Sequence, residues 1–279
     1  MGNTLIFNEE VEEVKHICQM IGSIVINTKQ VPISNKQKTF SNYKNVILIT
    51  TYDNATASIE TVKGSVSFNG KLNQIVLVLV GQGSNDNKEV RQLLQEIDPG
   101  AETQVVIIDK GESMAEVAAG IAKLINQPEK PMPKDEFLEA VEAFLKKHNT
   151  CGLATGADHY VRCTPIEYEY ENNSLYIITE GGNKFIGILK NPKVSVVVFE
   201  PYTTMAELNG LQIMGTAKLV EVNSKEYLEA FQKKGIKPET LAKLPIDMNV
   251  LKICPDSYEF LSSSFRAKGY DAKQCYSVE

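Results

Sequence analysis

Along the chain the hydrophobic positions change their period. Asn45–Thr51, Gln74–Val80 and Gln104–Asp109 are near-continuous apolar runs, as expected of strands buried on both faces. Helical stretches alternate with them: Asp53–Val66 with Asp53 as its cap, a segment ending near Ile97, and one from the Ser113 cap to about Asn126. Upstream, Val11, Val14, Ile17, Cys18 and Ile21 share one face of a helix over Glu9–Ile21, with Asn8 as N-cap and Gly22 as stop. Residues 3–7 are a short apolar run, Ser23–Asn27 reads as a strand, and polar Thr28–Asn42 reads as a loop. Buried strands alternating with helices predict a parallel sheet of up to five strands with helices on both faces.

After Gln127 the rhythm stops. Three prolines within Gln127–Pro133 predict a stiff linker. Beyond it Asp135–His148 is an amphipathic helix with Phe137, Val141, Phe144 and Leu145 on one face. Strand-like runs follow at Cys151–Thr155, Tyr160–Tyr170, Ser174–Thr179 and Val194–Phe199, broken by turn signals at Gly156–Asp158 and Glu171–Asn173. Phe185, Ile188 and Leu189 recur at helical spacing before the Asn191-Pro192 stop. Leu211–Val222, a helix over Lys225–Lys233 capped by Ser224, a helical turn at Pro238–Leu244, and strands Val250–Cys254 and Ser257–Ser262 complete a small antiparallel barrel. The organisation read from this is an α/β domain over 1–126, a linker over 127–134 and a β-barrel domain over 135–279.

Composition narrows the function. The net charge of −6 over 279 residues argues against a general nucleic-acid binder. No stretch reaches the roughly 18 consecutive apolar residues of a membrane span, and no basic-then-apolar leader opens the chain, so a soluble cytoplasmic protein is expected. Cysteines at 18, 151, 163, 254 and 275 have no C-x-x-C spacing, which predicts neither zinc nor a disulfide framework. Cys151 and Cys163 read as small buried hydrophobes.

In the first domain, ligands are expected at the carboxyl ends of the strands. Those ends hold Thr50–Thr56, Gly81–Asn85 and Asp109–Ser113. The domain is similar to flavodoxin-like or Rossmann-like units, and Thr50–Thr56 resembles the phosphate loop of flavodoxins. It lacks that loop's glycine and carries Asp53 where phosphate would sit. The G-x-G of Gly81–Gly83 lacks the third glycine of a dinucleotide fingerprint. A structural, regulatory or assembly role is the expectation for this domain.

The second domain carries a longer ordered set: G-L-A-T at 152–155, V-R-x-x-P at 161–165, L-Y-I-x-T at 175–179, G-x-K at 182–184, a helix ending in L-K-N-P-K-V at 189–194, and Q-I-x-G-x-A at 212–217. It resembles the pyridoxamine 5′-phosphate oxidase-like FMN-binding split barrels from about Asp135 onward. The resemblance implies FMN at the interface of a homodimer, with F420 and haem as alternatives within the family. It places Arg162 at the flavin phosphate, Thr164 and Pro165 along the isoalloxazine, Ile178 and Thr179 at phosphate or ring, Asn183 and Lys184 at the start of the helix, and Gln212 near a flavin-contacting glutamine. An arginine fork suits phosphate geometry, and a lysine at a helix start suits an anion. His159, in a turn, is a further ligand candidate. The chain has no tryptophan, and with it the family oxidase's pyridoxal-binding tail is missing. The expected function is therefore a flavoprotein oxidoreductase for a small organic or nitro-type acceptor, with NAD(P)H as donor. The alternative is a flavin- or haem-binding sensor or storage module.

Overall fold

The computed structural model describes residues 2–35, 39–82, 88–109, 113–241 and 243–278. The chain divides into two compact units, Met1–Glu129 and Lys130–Glu279.

The first unit runs β1 (Asn3–Asn8), α1 (Glu12–Ile24), β2 (Thr28–Pro32), β3 (Thr39–Ser41), β4 (Tyr43–Thr51), α2 (Ala55–Ser65), β5 (Ser67–Asn69), β6 (Gln74–Val80), α3 (Lys88–Gln95), β7 (Glu102–Ile108) and α4 (Met114–Ile125). The main sheet is parallel, in the order β2-β1-β4-β6-β7. Counting only its own strands, that order is 2-1-3-4-5, a doubly wound sheet whose direction of winding reverses between β1 and β4. Alternate side chains of each strand feed two cores. Ile6, Ile47, Ile49, Val76 and Val78 meet Ile17, Ile21 and Ile121 of α1 and α4 on one face. Leu5, Val46, Leu48 and Leu77 meet Ile59, Val62 and Leu94 of α2 and α3 on the other. Leu48 and Leu77 are wholly buried, so truncating either to Ala costs about 2–5 kcal/mol.

Three local expectations are corrected here. The first helix starts at Glu12, not Glu9, and no side chain caps it. Glu9 accepts instead from Thr50 and Thr51 at the end of β4 and from Asn54 just beyond it. The helix passes through Gly22 to Ile24, and the Gln30 amide fills the space beside that glycine. The second strand is Thr28–Pro32 rather than Ser23–Asn27. It lies at the sheet edge with only Val31 buried, so it has no apolar run to announce it, and Pro32 is tolerated there. Parts of the sequence-predicted ligand loops, Gly83–Asn85 and Lys110–Glu112, lie outside the described residues.

The second unit runs α5 (Lys134–Lys147), β8 (Thr150–Ala157), β9 (Tyr160–Glu167), β10 (Glu169–Glu171), β11 (Ser174–Thr179), α6 (Lys184–Lys190), β12 (Lys193–Phe199), β13 (Asn209–Leu219), α7 (Lys225–Lys233), α8 (Pro238–Leu241), β14 (Asn249–Ser262) and β15 (Lys273–Ser277). Its antiparallel sheet curls in the order β10-β11-β14-β13-β12-β8-β9. The single long strand β14 replaces the two strands expected over its length. Its first part pairs with β11, at Asn249–Ile253, and its second with β15, at Ser257–Leu261. A register shift between Met214 and Gly215 of β13 lets the strand continue past Pro255 and Asp256. A Cβ at Gly215 would stand 2.7 Å from the Cys254 carbonyl oxygen, so only glycine fits the bulge. Asn172 and Asn173, with φ of 48° and 56°, form the tight turn between β10 and β11. Phe137, Val141, Phe144 and Leu145 of α5 are buried, as their spacing predicts, in a core with Leu153, Val196, Ile213, Ile253 and Phe260. Residues before α5 are fastened to the same unit: the Met132 amide donates to Gln274 Oε1 at 2.8 Å, and Gln274 Nε2 donates to the Lys130 carbonyl at 3.2 Å. Cys151 is buried but Cys163 is exposed, because successive strand residues face opposite ways.

Candidate functional site

The residues on the inner face of β9 are set by its pairing with β8. Arg162 stands opposite Thr155, and Thr164 opposite Leu153. Thr155 and Leu153 are both buried, so Arg162 and Thr164 share the concave side of the sheet. Arg162 Nε donates to Thr164 Oγ1 at 3.2 Å, and the rest of the guanidinium is exposed to solvent. α6 packs across β8 and β9 and brings Lys184 to this edge.

Thr179 closes β11 and is buried. The Gly181 amide donates to its Oγ1 at 3.4 Å, and the hydroxyl lies 3.3 Å from the Gly181 carbonyl oxygen. Gly181 and Gly182 have φ of 128° and 105°, a backbone course that β-carbons disfavour. This glycine pair folds the chain back so that Lys184 Nζ donates to the Gly181 carbonyl. Lys184 is 6% exposed, and its only other close partner among the described residues is the Phe185 ring, 5.3 Å away. Burial pushes its ammonium pKa down; Glu180 opposes that shift and Arg162 adds to it. Glu180 acts on the Lys184 ammonium more strongly than Arg162 does, and neither Lys184 nor Arg162 is in an ion pair with a carboxylate among the described residues.

The structure sorts the sequence-predicted residues into separate groups. Arg162, Thr164, Thr179 and Lys184 converge on one edge. Asn183 adjoins them through its backbone, where its carbonyl accepts from Tyr160 Oη at 2.8 Å. Ile178 points the other way and packs with Val220, Tyr227, Phe231 and Val250 beside α7, so only its backbone faces Thr179's side. Pro165 and Gln212 are exposed on the convex face. They sit at the two ends of one transverse row, Pro165–Gly152–Val197–Gln212. His159 is exposed in the turn after Asp158. A cleft of about 870 Å³ elsewhere in the unit, lined by His148, Glu200, Asn209 and Ser263 among others, contains none of these residues. Sequence reasoning missed Tyr160, and of the Gly181–Gly182 turn it named only Gly182, as part of a G-x-K pattern. The adjacent glycines before Asn183-Lys184 were the available signal.

The donor set fits a phosphate monoester. It offers a guanidinium, a buried ammonium, a hydroxyl and a glycine-rich turn, with excess positive charge and no carboxylate in contact. On fold alone, the unit is a split β-barrel: a curled antiparallel sheet closed by one helix beneath and a short helix at its open edge. The family model described as pyridoxamine 5′-phosphate oxidase matches residues 137–260. With the curled sheet, that match makes this unit a pyridoxamine 5′-phosphate oxidase-like split barrel. Similar solved structures include an FAD-binding protein from Mesorhizobium loti, 19% identical, with TM-score 0.36, covering 44% of this chain and 89% of that one. HutZ, a heme storage protein from Vibrio cholerae, is 17% identical, with TM-score 0.36, covering 42% of this chain and 88% of that one. General Stress Protein 26 from Bacillus anthracis is 17% identical, with TM-score 0.36, covering 51% of this chain and 99% of that one. No curated protein matches the chain. Among the described residues no helix is long and apolar enough to cross a membrane, and no group of side chains could hold a metal ion.

Proposed function

We propose that the C-terminal unit binds FMN and that the protein is a flavoprotein oxidoreductase passing electrons from NAD(P)H to a small organic or nitro-type acceptor. The observation that carries this reading is Arg162 and Lys184, neither in an ion pair among the described residues, beside Thr179 and the Gly181–Gly182 turn. Two like charges held together are unfavourable unless an anion joins them. A dianionic phosphate does so, with the guanidinium forking its oxygens and the ammonium acting as a point charge. Bound FMN would supply the redox chemistry; the chain positions it and sets the charge around it.

FMN would lie at the interface of a homodimer. The convex face supports this: Val161 is 84% exposed, Phe199 62% and Met214 51%, on the side that also carries Pro165 and Gln212. In a dimer that face covers apolar surface. The N-terminal unit has the flavodoxin-like strand order, and its role is read as structural or regulatory, because its own switch point is filled by Glu9.

The test is the absorption spectrum of freshly purified protein, followed by FMN titration. A flavin spectrum, or saturable uptake lost in K184A, is expected. Colourless protein that takes up no FMN overturns the reading. Flavin bound without turnover of NAD(P)H and nitro-acceptors reassigns the protein to storage or sensing.

A further inference from the structure

One poorly satisfied group beside the cations is unexplained by the fold. Thr155 is 4% exposed, and its Oγ1 is buried without a hydrogen-bond partner. Buried hydroxyls are nearly always paired, and an orphan calls for a cause. Among the described residues the only other such atom is Gln74 Oε1, in the other unit.

Its position gives the cause. Thr155 stands directly opposite Arg162 in the β8–β9 ladder. On its other side lies Gly187 of α6, where a Cβ would come within 3.1 Å of Thr155 Cβ and Oγ1 and 3.0 Å of the Gly156 amide nitrogen. α6 therefore rests directly on Thr155. Gly187 follows Lys184 by three residues, on the same buried side of the helix. The seat at Thr155 thus sets where the Lys184 ammonium stands relative to Arg162. A valine would fill the same space without an unpaired hydroxyl, so packing alone gives no reason for threonine.

We propose that Thr155 is a positioning residue of the anion site, seating α6 through Gly187, with a hydroxyl that is paired only in the ligand-loaded state. The inference rests on the FMN-phosphate reading above. A phosphate between Arg162 and Lys184 competes with the Gly181 carbonyl for the lysine Nζ, and the first turn of α6 follows the lysine. The Thr155 hydroxyl is the polar group beneath that helix, and it becomes satisfied when the helix takes its loaded position. The free protein carries the orphan as a cost; the bound protein recovers it.

The experiment compares wild type, T155V and T155S in the full chain, by FMN titration and by the melting temperature without ligand. T155V is expected to melt at the same or a higher temperature while losing about tenfold in FMN affinity. T155S is expected to keep wild-type affinity. Wild-type affinity in T155V overturns the inference alone. A lowered melting temperature in ligand-free T155V also overturns it, because the hydroxyl would then be paired in the free state. No FMN uptake by wild type overturns the underlying reading and this inference with it.

Discussion

The two units treat charge at their open ends in opposite ways. In the N-terminal unit the crevice between β1 and β4 is occupied by the chain itself. Glu9 Oε2 accepts from Thr50 Oγ1 and the Thr51 amide at 2.9 Å and from Thr51 Oγ1 at 3.0 Å, while Oε1 accepts from Asn54 Nδ2. Thr50 is further tied to Ser58 at 2.8 Å. In the C-terminal unit Arg162 and Lys184 at the β9–α6 edge donate only to the Thr164 hydroxyl and the Gly181 carbonyl, with no ion pair among the described residues. A doubly wound sheet whose switch point is plugged by its own carboxylate has no vacancy there for phosphate. A barrel edge with a guanidinium, a buried ammonium and an orphan hydroxyl has unsatisfied groups that a ligand would satisfy. The position of a site in a fold says where ligands bind; local hydrogen-bond accounting says which site is still open.

The comparison breaks most readily at the cations. R162A and K184A should each weaken FMN binding, and the double variant by about a thousandfold or more, while far-ultraviolet circular dichroism stays unchanged. Retained affinity in the double variant would remove the contrast between the units.

The next effect is on stability in the other unit. Removing Glu9 leaves several donors around a buried threonine without their acceptor. E9A should cost about 1–3 kcal/mol in urea unfolding, with no change in FMN affinity. E9Q, which keeps one acceptor oxygen, should cost less.

The pH dependence separates the units by window: both gain stability as pH rises, the N-terminal unit in acid and the C-terminal unit in alkali. Although burial raises the Glu9 pKa, hydrogen bonds from Thr51, Thr50 and Asn54 outweigh it, and the net shift is below the ordinary 4.5. A depressed carboxylate contributes stability that is fully present above the unfolded-state value and is lost as pH falls through the folded one. Acid should therefore destabilise the N-terminal unit less steeply in E9Q than in wild type. Lys184 is a cation whose folded pKa lies below its ordinary 10.5. Its burial penalty is relieved as pH rises from the folded value toward 10.5, so the ligand-free C-terminal unit gains stability over that window. FMN affinity falls across the same window, because the ammonium is lost. Opposite slopes for melting temperature and affinity would confirm the assignment; parallel slopes would refute it.

The smallest effect is at Tyr160. Y160F removes the bond to the Asn183 carbonyl on a half-buried surface and should cost about 0.5–1.5 kcal/mol, measured as a small fall in melting temperature with a modest loss of FMN affinity.

Much of this was legible before any coordinates. Continuous apolar runs marked β4, β6 and β7 because a strand covered by helices on both faces has no polar side. The face of α5 and the Ser224 cap, whose Oγ accepts from the Tyr227 amide at 3.2 Å, were equally clear. Edge strand β2 was not, since an edge needs few apolar residues. The unity of β14 was hidden by Pro255, which breaks strands unless a bulge in the neighbour accommodates it. Arg162, Thr164, Thr179 and Lys184 could be named from motif order, but their convergence depends on the sheet's curl and on the helix crossing β8 and β9. Strand alternation puts Pro165, one residue after Thr164, on the opposite face, and cross-strand pairing sets Gln212 in the same row.

By itself the sequence determined the elements whose periodicity or capping is local, and the residue types that a phosphate site requires. Only the tertiary structure decided which donors were already spent. Glu9 and Thr50 are separated by most of the first half of the N-terminal unit, as Thr155 and Gly187 are by three strands, and hydrogen-bond satisfaction is a property of neighbours in space.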